Sequence, residues 1–209
     1  MQAKHRPSIH LNIPFYRQHY DFTCGPACLM MAMKYLEPDV RQGKDLEIDL
    51  WREANLVAVC GTSRYGLAFS AATRGFSARV TSSTGGIDFA EKCVPSLDVP
   101  AMELLREQFS ERRARCSKLQ VRERQAPITG RTLREALFSN HVPLIVTSSR
   151  FCGGEDCPHW VLVTGIDDKF LFFYSPSDVR QKKRKTGLPA LQEFIGYHGD
   201  QSMVEIWNG

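Results

Sequence analysis

No stretch of this sequence stays apolar for the ~18 residues that crossing a bilayer requires. Its apolar runs are short pieces such as Trp160–Gly165 and Phe170–Tyr174. Met1 to Pro14 carries Lys4 and Arg6 but neither an apolar core nor a small-residue cleavage site, so no secretory signal is read there. Strong charge of one sign is missing too. Lys and Arg number 27 against 23 Asp and Glu, a formal +4 over 209 residues, which is not a nucleic-acid signature. Cys-x-x-Cys does not occur, so the common redox and zinc-knuckle spacings are lacking. What remains is a chain with 43% apolar residues, enough to offset ordering entropy in one domain spanning residues 1–209. A soluble, cytoplasmic protein is expected, with its seven cysteines (24, 28, 60, 93, 116, 152 and 157) mainly free thiols.

The first third reads as helical. Ala27–Leu36 is rich in Leu, Met and Ala and is closed by Glu37-Pro38, because proline disfavours helix at the residue before it. Leu46–Asn55 and Tyr65–Arg74 are shorter amphipathic candidates, the second capped by Gly75, and Phe76–Ser82 alternates as a strand. Residues from about 88 to 125 read as a charged helical insertion with opposite-sign pairs on its outer face. The last third changes period: a helix at Thr132–Asn140, strands at Val142–Ser148, Trp160–Ile166 and Lys169–Tyr174, a short helix at Pro189–Tyr197 and a strand at Met203–Trp207. Asp167-Asp168 is a tight turn between two of these strands. Helices first and an antiparallel sheet afterwards give an α+β class.

Chemistry concentrates at Gln18 to Leu29. A polar, turn-rich stretch runs straight into the apolar helix, with Thr23 as its N-cap and Cys24 and Pro26 in its first turn. A thiol there meets unpaired backbone N–H groups and the positive end of the helix dipole, which favour the thiolate. Gly25 leaves room for a substrate backbone to approach. Among the six histidines, His159 opens the strand Trp160–Ile166 and stands on a rigid element suited to a base facing that helix.

Gln18, Cys24-Gly25-Pro26-Ala27-Cys28-Leu29 and His159-Trp160-Val161-Leu162-Val163 together resemble the bacterial C39 peptidase group, papain-like cysteine proteases. The nearer resemblance is to stand-alone peptidase C39-like proteins that carry no transporter. It covers about residues 14–36 and 127–176. It implies a papain-like fold, with Cys24 as nucleophile and His159 as general base and then acid. It also implies Gln18 as a side-chain oxyanion donor, beside the Cys24 backbone N–H. The implied function is hydrolysis of a peptide or amide bond through a thioester acyl-enzyme, with no cofactor and no metal. The implied partners are a peptide substrate, ribosomally made, and a peptide-modifying enzyme; neither nucleic acid nor membrane insertion is expected.

The pattern departs twice. Thr23 stands where the family has Asp, and Ser175-Pro176 stands where it has Asp-Pro or Asn-Pro. Serine can accept from the imidazole Nδ1–H but cannot offset an imidazolium charge; Asp178, three residues on, is the other candidate for that role. Ser175 also points to an alternative, a non-catalytic peptide-binding module, and the same nucleophile would serve a transpeptidase or isopeptidase. Three further readings are open. Cys152, Cys157 and His159 could supply zinc ligands, or the 152–157 stretch is a loop bordering the cleft. Cys28 is a redox partner of Cys24 or a small buried hydrophobe. Arg180–Lys185 is a solvated loop beside a strand or an anion-binding patch.

Overall fold

The structure is a computed structural model that describes residues 7–56, 61–87 and 97–209. In chain order, β1 is Ile9–His10, α1 Cys24–Leu36, α2 Lys44–Ala54, α3 Arg64–Ala72, β2 Phe76–Ser82, α4 Val99–Lys118 and β3 Arg122–Gln125. Then come α5 Gly130–Phe138, β4 Val142–Ser148, β5 Pro158–Ile166, β6 Phe170–Tyr174, β7 Arg184–Gly187, α6 Leu191–Phe194 and β8 Ser202–Asn208. The strands make one sheet in the order β3-β2-β8-β4-β5-β6-β7, with β1 paired to β5. Every pairing is antiparallel except β2 with β3. The α+β reading holds, with the N-terminal helices packed on this sheet.

Helix α1 is the centre of the packing. Every residue from Cys24 to Leu36 is buried except Lys34 and Tyr35, so this helix is enclosed rather than amphipathic. Met30, Met31 and Met33 belong to the apolar core. The β5 strand that α1 faces is equally dry: Val161, Leu162 and Val163 have no exposed surface. That continuous apolar run is what a strand covered on both faces requires. Gly165 is needed where β1 crosses β5, since a Cβ there would stand 2.6 Å from the Ile9 carbonyl oxygen. Helix α2 packs on α3 through Gly66, where a Cβ would meet Ala54 Cα at 2.5 Å.

The expected helices and strands occur within a few residues of their ends, with three differences. The proposed insertion is not wholly helical: α4 carries exposed pairs such as Arg115–Glu111, but Arg122–Gln125 is a strand extending the sheet beside β2. Its first part, residues 88–96, lies outside the described residues, as do Cys60 and Cys93. Pro189–Tyr197 forms only a 3-10 turn, Leu188–Ala190, and the single turn of α6. The basic run ends in β7, an edge strand. Arg184 Nε there donates to Asp178 at 2.7 Å and Lys185 lies 4.2 Å over the Phe170 ring. The run therefore dresses a sheet edge with charge, which discourages edge-to-edge pairing.

A second buried feature ties α3 to the end of the sheet. Arg64 Nη1 donates to Asp200 (3.3 Å) and Ser202 (3.1 Å), and Nη2 to the carbonyls of Thr84 and Gly86. The side chains of Arg64 and Asp200 are 2% and 4% exposed. Removing one partner of such a pair strands the other charge in a dry place. Arg64→Met is expected to lower unfolding free energy by about 3–5 kcal/mol in urea titrations. Arg52→Ala, which removes an exposed pair with Asp49, should change it by under about 0.5 kcal/mol.

Candidate active site

The structure brings Cys24 and His159 to the same seam, where the N-terminus of α1 meets the start of β5. Strand β6 pairs with β5 only as far as Leu162↔Tyr174, so residues 158–161 lie beyond its end. There the two cysteines of α1 grip one residue. The Trp160 N–H donates to Cys24 Sγ at 3.5 Å, and Cys28 Sγ donates to the Trp160 carbonyl at 3.4 Å. The one-turn spacing of Cys24 and Cys28 thus serves registry between helix and strand. Cys28 has no exposed surface, in keeping with a small buried hydrophobe.

The loop entering α1 is fixed by a carboxylate. Glu47, fully buried on α2, accepts from the His19 backbone N–H (2.8 Å) and the Tyr16 hydroxyl (2.9 Å), and contacts His19 Nδ1 at 2.8 Å. The Thr23 hydroxyl also donates to Glu47. Thr23 occupies the N-cap position, but its side chain makes no cap bond to the helix. Its hydroxyl is used instead to lock the loop, its oxygen lying 2.8 Å from the Tyr20 carbonyl as well. Nothing in the sequence pattern marked Glu47, because its partners are 24 to 31 residues away. Gly25 also serves differently from expectation. A Cβ there would lie 2.3 Å from Thr62 Oγ1 and 3.1 Å from Leu67, so the space is occupied by protein rather than left for a substrate.

His159 is 6% exposed and is held by Ser175, whose Oγ lies 2.9 Å from Nε2. The contact uses Nε2, not the Nδ1 expected from sequence, and leaves Nδ1 as the other ring nitrogen. Ser175 directly follows β6, and its Oγ is 2.9 Å from Ser177 Oγ. Asp178 does not reach the imidazole. It accepts from Arg184 Nε (2.7 Å) and from the Arg180 N–H (2.9 Å). Burial acts to raise its pKa, but these donors hold it below its ordinary value. Gln18 is drawn near by its backbone N–H on the Pro176 carbonyl (3.0 Å). Its side-chain amide donates to the Tyr20 carbonyl (2.8 Å), while its Oε1 is buried without a partner.

The electrostatics reverse the sequence expectation for the thiol. Burial pushes Cys24 up to about 11, although the N–H groups of Trp160, Gly25 and Cys24 itself favour the thiolate. Burial, with Arg184 adding positive charge, pushes His159 down to about 4. The helix terminus supplies the donors that were anticipated, but loss of solvent outweighs them. At neutral pH the resting pair is thiol and neutral imidazole.

A cavity of about 450 Å³ opens on the Cys24 side. Phe22, Leu56, Phe109, Val146, Pro158 and Trp160 supply its apolar wall, and the Arg64–Asp200 pair and Cys157 also line it. Trp160 both walls the cavity and anchors the neighbouring loop, its Nε1 donating to the Thr62 carbonyl at 3.2 Å. The 153–156 loop borders this region through the Tyr197 hydroxyl bond to the Asp156 carbonyl (2.9 Å). Among the described residues no group of three His, Cys, Asp or Glu side chains is placed to hold a metal ion. Within the same residues no helix is long and apolar enough to cross a membrane.

The low His159 value has a consequence for folding. The unfolded ring gains its proton below about pH 6.5, the folded ring only below about 4. Stability present at pH 7 is therefore lost as pH falls from 6.5 towards 4. Compared with His159→Gln, the wild-type chain should lose about 3 kcal/mol more over that interval, measured by urea unfolding at pH 7 and pH 4.

Comparison with known proteins agrees with this architecture. A crystal structure of a Bacillus anthracis protein described as a C39-like peptidase superposes with a TM-score of 0.52 at 13% identity, covering 98% of this chain and 99% of that one. At that identity the likeness establishes the fold. No curated protein matches the sequence. The model of the Peptidase_C39 like family matches residues 13–192, a span that takes in Gln18, Cys24, His159 and Ser175 as well as α4 and β3. The chain belongs to the Peptidase_C39 like family.

Proposed function

We propose that this protein is a cysteine peptidase, hydrolysing a peptide or related amide bond through a thioester acyl-enzyme. One observation carries the reading: the sulfur at the N-terminus of α1 lies against the backbone of the residue next to His159, on the wall of a cavity. In the first step Cys24 Sγ bonds to the scissile carbonyl carbon. The carbonyl π pair moves to oxygen, and the thiol proton passes to His159 Nδ1. Collapse of the tetrahedral species expels the amine, which takes that proton. Water then attacks the thioester with His159 as base, and the departing sulfur recovers its proton.

Because the pair rests neutral, proton transfer accompanies attack rather than preceding it. Backbone N–H groups at the start of α1 and the Gln18 amide are the oxyanion donors in this reading. The Gln18 amide would turn from Tyr20 as charge develops on the substrate oxygen. The cavity volume falls within the ~300–1,000 Å³ typical of ligand sites. With the Arg64 guanidinium already matched by Asp200, its wall suits an uncharged, bulky side chain beside the scissile bond. A ribosomally made peptide processed in the cytoplasm is a substrate of that kind.

A second reading, a peptide-binding module that performs no chemistry, draws on the burial of Cys24 and its high pKa. Alkylation separates the two. At pH 7.5, iodoacetamide is expected to label Cys24 at least ~10-fold faster in the wild-type chain than in His159→Ala, followed by peptide mass mapping. Equal rates, both those of an unactivated thiol, would establish the binding module instead. N-benzyl iodoacetamide should label Cys24 about 10-fold faster than iodoacetamide and should saturate, as expected if the cavity takes an apolar group.

A further inference from the structure

The Ser175 hydroxyl raises a question that an acceptor-only oxygen would not. A carboxylate beside Nε2 can only accept, so it forces the imidazole proton onto Nε2. A hydroxyl can accept from Nε2–H or donate to a bare Nε2. In the second case the proton sits on Nδ1, and the ring has no lone pair for the thiol. The position of one hydrogen therefore decides whether His159 can act as a base towards Cys24.

The surroundings favour one direction. Cys24 Sγ already receives the Trp160 backbone N–H at 3.5 Å, so what the thiol lacks is an acceptor for its own hydrogen. On the other side, Ser175 Oγ has a second hydroxyl at 2.9 Å, that of Ser177, held across the Pro176 turn closed by the Asp178 N–H to Ser175 carbonyl bond (3.0 Å). Ser177 is exposed, so its hydroxyl can accept from Ser175 and pass its own hydrogen to solvent. The remaining titratable and charged neighbours do not fill that place. Cys152, whose thiol is near Ser175 and is pushed up by burial, offers only sulfur, a weaker acceptor than the Ser177 hydroxyl oxygen. Asp178 and Arg184 are paired with each other.

We propose that Ser177 is a positioning residue for His159. By accepting the Ser175 hydrogen it obliges Ser175 Oγ to accept from Nε2–H, which leaves the Nδ1 lone pair for Cys24. Two hydroxyls in series, ending at solvent, thus fix the tautomer that a single carboxylate oxygen would fix on its own. This rests on the peptidase reading for its use, but the tautomer can be observed without any turnover.

The test uses the full chain labelled with ¹⁵N-histidine, observed by NMR at pH 7.5, where the ring is neutral. The expected wild-type spectrum has His159 in the Nε2–H tautomer. Ser177→Ala should shift it towards Nδ1–H and slow iodoacetamide labelling of Cys24 by about 3–10-fold, and Ser177→Thr should restore both. In a Ser175→Asp background, Ser177→Ala should have no effect on the tautomer, because the aspartate oxygen cannot donate. An Nδ1–H ring in the wild type, or a tautomer indifferent to Ser177→Ala, overturns the proposal. If the tautomer behaves as expected while Cys24 labelling ignores His159, the positioning role stands and the peptidase reading falls.

Discussion

The contact on which the molecule turns is small: the backbone of Trp160 held between the sulfurs of Cys24 and Cys28. One turn of helix is fixed to one residue of strand, and everything reactive lies next to that join. Moving the helix by one residue along β5 would rotate Cys24 by roughly 100° and bury its sulfur elsewhere. The enclosure of α1 on all sides makes such a slip costly, since its apolar side chains have no alternative dry surface. Rigidity at this seam is therefore a product of core packing as much as of the sulfur contacts.

The same enclosure sets the electrostatics. Backbone donors at a helix N-terminus and a neighbouring imidazole would, in a wet cleft, favour separated charges. Here both groups are nearly dry, and Arg184 adds positive potential near the ring. Neither thiolate nor imidazolium is well accommodated at rest, and Ser175, being neutral, does little to change that. In the proposed peptidase, charge would develop only when a substrate carbonyl arrives to receive it. Distant residues shape this setting: Glu47 fixes the loop that leads into α1, and Arg64 with Asp200 closes the far wall of the cavity.

Much of the fold was legible from periodicity. The central helix, the strands Phe76–Ser82 and Val142–Ser148, and the β5–β6 hairpin stand where alternation and apolar runs placed them. The strands missed were β1, β3 and β7, which are two to four residues long. Arg122–Gln125 has no apolar face, because it lies at the sheet edge with every side chain exposed, so its pairing with β2 left no imprint on residue type. At the site, Cys24, His159 and Ser175 were identifiable. Glu47 and the Thr62 contact that fills the space beside Gly25 were not, since each acts through a neighbour the linear order does not reveal.

Residue order alone settled which groups could do chemistry: a cysteine opening an apolar helix, a histidine opening an apolar strand, and a serine just ahead of Pro176. Those are matters of covalent identity and local periodicity, and they do not depend on packing. The ionisation of those groups belonged to the tertiary structure, because a pKa depends on how much water the fold removes and which charges it brings near. So did the choice of ring nitrogen that meets Ser175, which follows from how β6 and the Pro176 turn approach β5 in space.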